Sequence, residues 1–148
     1  MEEIKTFCGG NAIDDRGEVI FVNDFNFKNV KRFYQIENFS KNIIRAFHGH
    51  LKEGKYVYVA EGSIILAAVY LDKIDMPSKN NKVNRFILSD KKPAVIYLPS
   101  GYANGFKALE EKTKIIFFST STLDESKGDD YRYDYDYWGK DIWESENR

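Results

Sequence analysis

The only two histidines of the 148-residue chain stand one residue apart, as His48 and His50, with Arg45 before them and Lys55 after them. The residues after Lys55 have the pattern of a strand, in which residues i and i+2 point to the same face. We therefore expect the two imidazoles to share a face. Together with the guanidinium and the ammonium, they form a candidate site where an anionic substrate gives up a proton. The alternative is a pair of surface histidines on a polar loop, because short motifs arise by chance.

A metal site is the first chemistry to consider for this stretch. The histidine pair followed by Glu53 is similar to half of a metal site in a β-barrel of the cupin kind, which takes a further histidine from a later strand. The chain has no third histidine, and Asn104 stands where that last ligand would be. An amide is a poor ligand for transition metals, which prefer imidazole and thiolate. We therefore expect no catalytic metal and no other cofactor, with a metal-dependent cupin dioxygenase as the alternative.

Proton transfer without a metal is the second chemistry. A neutral imidazole of His48 or His50 can take a proton from a carbon next to a carbonyl. The enolate that forms needs a nearby cation, for which Lys55 is a candidate. Arg16 and Arg45 can hold phosphates through forked hydrogen bonds. These groups suit an epimerase or a ketoisomerase that acts on a keto sugar.

The elements that must position these residues are short strands. Apolar and polar residues alternate in runs separated by turn signals every 8–12 residues or so, and no sustained helical stripe is present, which predicts an all-β sandwich or barrel. Glu61-Gly62 reads as the turn of a hairpin between two β-rich runs. We expect one domain over residues 1–148. In it, residues 121–148 form a C-terminal closing segment, whose alternating run Tyr131–Trp138 covers the sandwich or packs on a partner subunit.

Composition narrows the classes of protein. Net charge is −1 and the pI is about 6.1, so no global basic field draws the chain to nucleic acid or to a membrane. Cys8 is the only cysteine, which fits a reducing cytoplasm. No apolar run approaches the roughly 20 residues of a membrane span, and the N-terminus lacks the pattern of a signal peptide. We expect a cytoplasmic protein with a small-molecule substrate.

A series of motifs with a definite order and spacing extends over residues 14–120. Its members are Asp15-Arg16-Gly17, Phe33-x-Gln35-x-x-Asn38-x-Ser40, Arg45-x-x-His48, Lys55-x-Val57, Gly62 and Pro99-x-Gly101-Tyr102-Ala103-x-Gly105-Phe106. This series resembles the dTDP-4-dehydrorhamnose 3,5-epimerases, and it is far more specific than any one motif. The resemblance implies a metal-free cupin, which is a double-stranded β-helix or jelly roll, and a homodimer.

The same resemblance implies a role for each matching residue. His48 is implied to be the general base and Lys55 to stabilise the enolate. Arg16 and Arg45 are implied to contact the nucleotide diphosphate, and Gln35 and Asn38 to line the site. The family's aspartate that pairs with the base falls near the C-terminus, which here implies Asp134 or Asp136.

Several positions depart from the epimerase pattern. Asn104 replaces a histidine, and Thr122-Leu123 stands where the epimerases carry a tyrosine general acid. The pair His48-Gly49-His50 after an arginine is instead similar to the sugar-nucleotide 3,4-ketoisomerases, which also have a site tyrosine at the position of Tyr34. We rank epimerisation of a dTDP-linked 4-keto-6-deoxy sugar for surface-polysaccharide synthesis first. Ketone migration with His48 and His50 ranks second, and a non-catalytic nucleotide-sugar-binding cupin is the third alternative.

Overall fold

Two five-stranded antiparallel sheets pack face to face in the computed structural model, which describes residues 1–148. The first sheet has the order β1-β9-β6-β11-β4 and the second the order β12-β5-β10-β7-β8, while β2 and β3 pair only with each other. This topology confirms the predicted single-domain cupin jelly roll. The strands are β1 Lys5–Cys8, β2 Gly10–Asp14, β3 Gly17–Phe21, β4 Arg32–Glu37, β5 Ile44–Gly49, β6 Lys55–Glu61, β7 Ser63–Tyr70, β8 Val83–Ser89, β9 Ala94–Leu98, β10 Tyr102–Ala108, β11 Lys114–Ser119 and β12 Tyr131–Arg132.

The core between the sheets is built from alternate residues of these strands. Burial alternates along β6 and β11, so one face of each strand meets the core and the other faces outward. The main core cluster joins both sheets and contains Val57, Val59, Ile64, Leu66, Ala68, Leu88, Ile96, Leu98, Tyr102, Phe106, Ile115 and Phe117. Burying these side chains supplies the main driving force for folding.

Strand β7 is buried on both of its faces. Its other face belongs to a second cluster, which joins Ile65, Ala67 and Val69 to Trp138 and Trp143 of the C-terminal segment. That segment contains a four-residue helix, α1 (Leu123–Ser126), then β12, then a single 3₁₀ turn over Asp141–Trp143. Burial on both faces explains why β7 is almost wholly apolar. Neither helix is long and apolar enough to cross a membrane.

The tyrosine-rich run of the C-terminal segment follows a different path from a continuous strand. Tyr131 and Arg132 pair with β5, Tyr133 exchanges two backbone hydrogen bonds with Phe47 of the same strand, and the chain then turns. The hydroxyls of Tyr133 and Tyr137 donate to the carbonyls of Ile74 (2.8 Å) and Pro77 (2.7 Å). These tyrosines therefore fasten the segment to the long β7–β8 loop.

Trp138 is the aromatic anchor of this segment, and its removal is expected to destabilise the fold. Its ring lies edge-on to Phe47 at a centroid distance of 4.9 Å, and its indole N–H donates to the Ser78 carbonyl (3.0 Å). Trp138→Ala should lower the free energy of unfolding by about 3–5 kcal/mol, because it leaves a cavity in a packed cluster. Urea titration measures this loss. Phe39→Ala is the matched control, since Phe39 is 99% exposed, and an equal loss in both variants would contradict the assignment.

The predicted hairpin at Glu61-Gly62 is wrong. Strand β6 pairs with β9 and β11, whereas β7 pairs with β8 and β10, so the chain passes from one sheet to the other at Gly62. Gly62 has φ of 85°, and a Cβ there would collide with Lys112 and Thr113. The positive φ of Gly62 therefore lets the chain cross between the sheets, and the same backbone conformation is also typical of a hairpin turn.

Candidate active site

A cavity of about 180 Å³ opens between the two sheets where β4 and β5 lie opposite each other. Five strands contribute side chains to it, and it contains both apolar rings and cationic groups. The lining residues are Tyr34, Ile36, Arg45, His48, Lys55, Asn104, Phe106 and Phe117. The sandwich thus brings together five of the residues that the sequence predicted, which are Tyr34, Arg45, His48, Lys55 and Asn104.

His48 lies on β5 with its side chain 35% exposed, and a carboxylate stands beside it. Its Nδ1 is 3.9 Å from Oδ1 of Asp130, and Oδ2 of Asp130 accepts hydrogen bonds from the Arg132 guanidinium at 3.2 Å. Asp130 precedes β12, which pairs with β5 beside His48. Asp130 is therefore the carboxylate that lies beside His48, in place of Asp134 or Asp136, which the resemblance implied. The two predicted aspartates instead lie beyond β12, in the turns that their carbonyls close.

The environment of His48 favours the neutral imidazole. Burial lowers the pKa of His48 below its usual value of 6.5, and the charges of Lys55 and Arg132 lower it further. The Asp130 carboxylate opposes them and raises it. A general base must be unprotonated, so these groups prepare His48 to accept a proton at neutral pH.

The acid limb of the pH profile is expected to report this environment. If neutral His48 is the reacting form, kcat/KM should hold from pH 8 down through pH 6.5 and fall only at lower pH, because the folded-state pKa is depressed. In Asp130→Asn the limb should move to still lower pH, since a charge that raises the pKa of His48 is removed. Initial rates across a pH series measure both limbs. A limb above pH 6.5 in the wild-type protein, or an upward shift in the variant, would contradict this assignment.

Lys55 begins β6 and carries a buried ammonium. The residue is 8% exposed, and its Nζ lies 5.9 Å from the centroid of the Tyr34 ring and 5.7 Å from that of Phe117. The two rings stack on each other at 5.3 Å. Lys55 Nζ is also 3.7 Å from Oε2 of Glu53. Aromatic faces and one carboxylate therefore hold a positive charge at the wall of the cavity.

Glu53 and Arg32 form a buried charge network behind Lys55 that the sequence reading did not identify. Glu53 is 3% exposed, and its Oε1 lies 4.0 Å from a terminal nitrogen of Arg32. The Arg32 guanidinium stands 5.0 Å from the centroid of the Tyr34 ring. One carboxylate therefore faces two cations, so the network keeps a net positive charge beside the cavity.

Arg45 is oriented by Asn38. The Nε–H of Arg45 donates to Oδ1 of the buried Asn38 at 2.6 Å, which leaves the terminal nitrogens of the guanidinium free of that bond. Asn38 itself does not line the cavity, so the structure gives it a supporting position. Asn104 points its amide at the His48 carbonyl from the neighbouring strand β10, at 3.4 Å.

His50 follows the end of β5 and is 7% exposed. Its Nδ1 is 2.5 Å from the Asp129 carbonyl, while its Nε2 is buried and has no hydrogen-bond partner. A carbonyl can only accept, so the proton of neutral His50 lies on Nδ1 and the lone pair on Nε2. Burial and the charge of Lys55 lower the pKa of His50, which keeps this imidazole neutral as well.

Gln35 and Arg16 do not line the cavity either, and both are exposed on the surface. Gln35 is exposed on β4, because neighbours on a strand face opposite sides and Tyr34 takes the inner one. Arg16 is exposed at the tip of the β2–β3 hairpin, where its guanidinium donates to the Asp14 carboxylate at 2.6 Å. The alternation of β4 could have shown from the sequence alone that Gln35 points away from the cavity. The position of the β2–β3 hairpin, which carries Arg16, could not be predicted from the sequence.

The histidines and carboxylates of the site do not converge in the way a metal centre requires. No three or more His, Cys, Asp or Glu side chains form a group that could hold a metal ion. Nδ1 of His50 is engaged by the Asp129 carbonyl, and Nδ1 of His48 faces Asp130. Metal analysis of the purified protein tests the dioxygenase alternative, which requires a bound metal.

Most of the chain matches the model of a known sequence family. The family model described as dTDP-4-dehydrorhamnose 3,5-epimerase matches residues 12–138. A probable low-salt glycan biosynthesis epimerase, Agl13 of Haloferax volcanii, is 28% identical over 95 residues. That match covers 64% of this chain and 60% of the archaeal protein, so the chain matches less than two thirds of its relative's length.

Solved structures share the fold at lower identity. The dTDP-4-dehydrorhamnose 3,5-epimerase of Sulfolobus tokodaii superposes with a TM-score of 0.74 at 23% identity, covering 90% of this chain and 78% of that one. The sugar 3,4-ketoisomerase QdtA of Thermoanaerobacterium thermosaccharolyticum, in complex with TDP, gives a TM-score of 0.69 at 20% identity, covering 91% and 90%. A protein described as an epimerase and one described as a ketoisomerase therefore share this fold.

Proposed function

The chain belongs to the dTDP-4-dehydrorhamnose 3,5-epimerase family, and on this premise we propose that it is an isomerase of a dTDP-linked 4-keto-6-deoxy sugar. The reaction is epimerisation by proton transfer at a carbon next to the ketone. It would serve the synthesis of deoxysugars for surface polysaccharide. The observation that carries the proposal is that a neutral imidazole and a buried ammonium line one small cavity.

His48, Asp130 and Lys55 each have a role in this reaction. Nε2 of His48 takes the proton from the carbon, and the electron pair of the C–H bond moves into the carbonyl to give an enolate. Asp130 stabilises the imidazolium that results. The ammonium of Lys55, which is 8% exposed, stabilises the enolate oxygen. The enolate electron pair then takes a solvent-derived proton on the opposite face of the carbon and the carbonyl re-forms, which completes the epimerisation.

The cations at the cavity provide for the nucleotide. Arg45, held by Asn38, presents the free edge of its guanidinium to a phosphate. Arg16 would join it from the β2–β3 hairpin only if that hairpin belongs to a second copy or swings in, because in one chain it stands apart from the cavity. We therefore assign Arg45 to the diphosphate in every case and Arg16 within a dimer.

A homodimer is the assembly that fits the surface. The outer face of the first sheet carries an aromatic patch of Phe25, Phe27, Phe33 and Phe118, in which Phe27 and Phe33 are 63% and 68% exposed. The β2–β3 hairpin adds exposed Ile13 and Val19. Contiguous apolar surface of this kind usually marks an interface.

Sedimentation equilibrium should give a dimer that Phe33→Glu weakens, because the variant places a charge in the aromatic patch. A wild-type monomer would contradict the dimer.

The decisive experiment is incubation with dTDP-4-keto-6-deoxyglucose in deuterated water, followed by NMR. Epimerisation predicts uptake of solvent deuterium at sugar C3, at C5 or at both, with the ketone kept at C4. Binding without any exchange at high protein concentration would favour a non-catalytic nucleotide-sugar-binding cupin. Absence of both binding and exchange with dTDP-keto sugars would refute the proposal.

Ketone migration is the second candidate, and His50 is the observation that favours it. His50 is two residues from His48 and its buried Nε2 has no partner, although it is not among the residues that line the cavity. Two bases that both reach the sugar would carry a proton between adjacent carbons. The same NMR experiment separates the two, because migration moves the ketone from C4 to C3 and places the new hydrogen, with any solvent deuterium, at C4. The cytoplasm is the proposed location, since the exposed Cys8 is unpaired.

A further inference from the structure

The loop between the two histidines and the lysine is held by a residue of the C-terminal segment. Asp129 is 4% exposed, and its carboxylate accepts three successive backbone N–H groups, from Leu51 (2.7 Å), Lys52 (3.0 Å) and Glu53 (2.9 Å). Successive N–H groups that converge on one anion form a nest with a strong preference for negative charge. The conformation of the loop therefore depends on the Asp129 carboxylate.

The same residue acts on His50 through its main chain. The Asp129 carbonyl accepts the Nδ1–H of His50, while its carboxylate holds the three residues that follow His50. Thr120 closes the other end of the loop, where its hydroxyl accepts the N–H of Gly54 (2.8 Å) and its own N–H donates to the Gly54 carbonyl (3.0 Å). Four successive N–H groups, those of residues 51–54, are thus bound by two side chains.

We propose that Asp129 is a positioning residue that fixes the tautomer of His50 and the separation between His50 and Lys55. The loop it holds joins the end of β5 to the start of β6, so it sets where the second imidazole and the ammonium stand relative to each other. With Nδ1 engaged, His50 presents its lone pair on Nε2, the atom that is buried without a partner. Asp129 thereby keeps the second imidazole in the form that accepts a proton.

The position of Asp129 is itself well supported. Its N–H donates to the Ser126 carbonyl at the end of α1 (3.1 Å), and α1 begins with a capping box between Thr122 and Glu125. Glu125 also pairs with Lys31 at 2.9 Å. Asp129 is therefore anchored outside the loop that it holds, as a positioning residue must be.

This inference rests on the proposed function for its kinetic consequence alone, and a spectroscopic measurement tests it without substrate. In ¹⁵N-histidine-labelled protein at pH 8, His50 should show a protonated Nδ1 and a bare Nε2, with the ring assigned by comparison with His48→Asn. Asp129→Ala should shift His50 toward the Nε2–H form, because the carbonyl no longer stays in register. Asp129→Asn, which keeps one acceptor oxygen, should be intermediate.

A kinetic measurement tests whether the hydrogen bonds of Asp129 to the loop serve catalysis. Asp129→Ala should lower kcat by about 100-fold while KM stays unchanged, since a small displacement of reacting groups carries a cost of that order. Asp72→Ala is the matched control, because Asp72 also accepts a backbone N–H, from Ser78 at 3.1 Å, away from the cavity. If Asp129→Ala retains the Nδ1–H tautomer, or if Asp72→Ala loses kcat equally, the proposal is overturned. If the wild-type protein exchanges no deuterium, the proposed function fails, and the tautomer measurement still decides whether Asp129 positions His50.

Discussion

Replacement of His48 by asparagine is expected to lower solvent deuterium exchange at the sugar by about 10³-fold, because a positioned general base contributes that order of rate. Asparagine keeps much of the size of the imidazole but cannot accept the proton. Binding of the nucleotide should persist, since Arg45 and its support from Asn38 are untouched. Exchange is measured by NMR in deuterated water, and binding by calorimetry with dTDP. The loss should therefore appear in kcat and not in affinity.

His50→Asn is the companion variant that reads out the role of the second imidazole. If His50 is a bystander, this variant keeps deuterium uptake and forms the epimer. If His50 carries the second proton transfer, uptake at one carbon persists while the ketone no longer migrates. Exchange at the wild-type rate in His48→Asn would contradict the assignment of the base, whatever His50 does.

The strands of the sandwich followed from the sequence where alternation was clean. Strands β6 and β11 alternate inward and outward residues, and the residues after Lys55 were predicted as a strand on that pattern. Strand β10 does not alternate in this way, and its residues Asn104 and Gly105 are atypical of strands. Gly105 has a packing reason, since a Cβ there would collide with Ala46 of β5. Local pattern thus fails where one strand lies unusually close to the next.

The side chains that meet in the cavity were predicted where they lie on regular strands. His48, Lys55, Arg45 and Tyr34 line one cavity because β4, β11 and β6 are neighbours in the first sheet and β5 faces them from the second. Asp130 was missed because the path of the C-terminal segment after α1 decides which carboxylate meets His48. No local rule encodes that path.

Asp129 was missed for a different reason. Its carboxylate binds main-chain N–H groups, whose presence does not depend on the side chains of residues 51–53. The residue types in that loop therefore carry no sign of the contact. A buried aspartate next to the aspartate that faces His48 is, however, consistent with one short segment serving both histidines.

Replacement of Lys55 by methionine is expected to lower deuterium exchange by about 10²–10³-fold, because it removes the cation that stabilises the enolate. It should also destabilise the fold by about 3 kcal/mol, since the buried Glu53 loses its nearer partner and keeps only Arg32 at 4.0 Å. Lys52→Met is the control for loss of a lysine, because Lys52 is exposed on the same loop. Urea titration and exchange rates are measured on the same preparations.

The double variant Glu53→Gln with Lys55→Met separates these two effects. Glutamine removes the buried negative charge that has lost its nearer partner, so most of the lost stability should return. Exchange should stay low, because no cation replaces the ammonium between Tyr34 and Phe117. Recovery of exchange together with stability would mean that Lys55 serves the fold and that another group stabilises the enolate. Arg32 is one such cation, since its guanidinium also lies against Tyr34 at 5.0 Å.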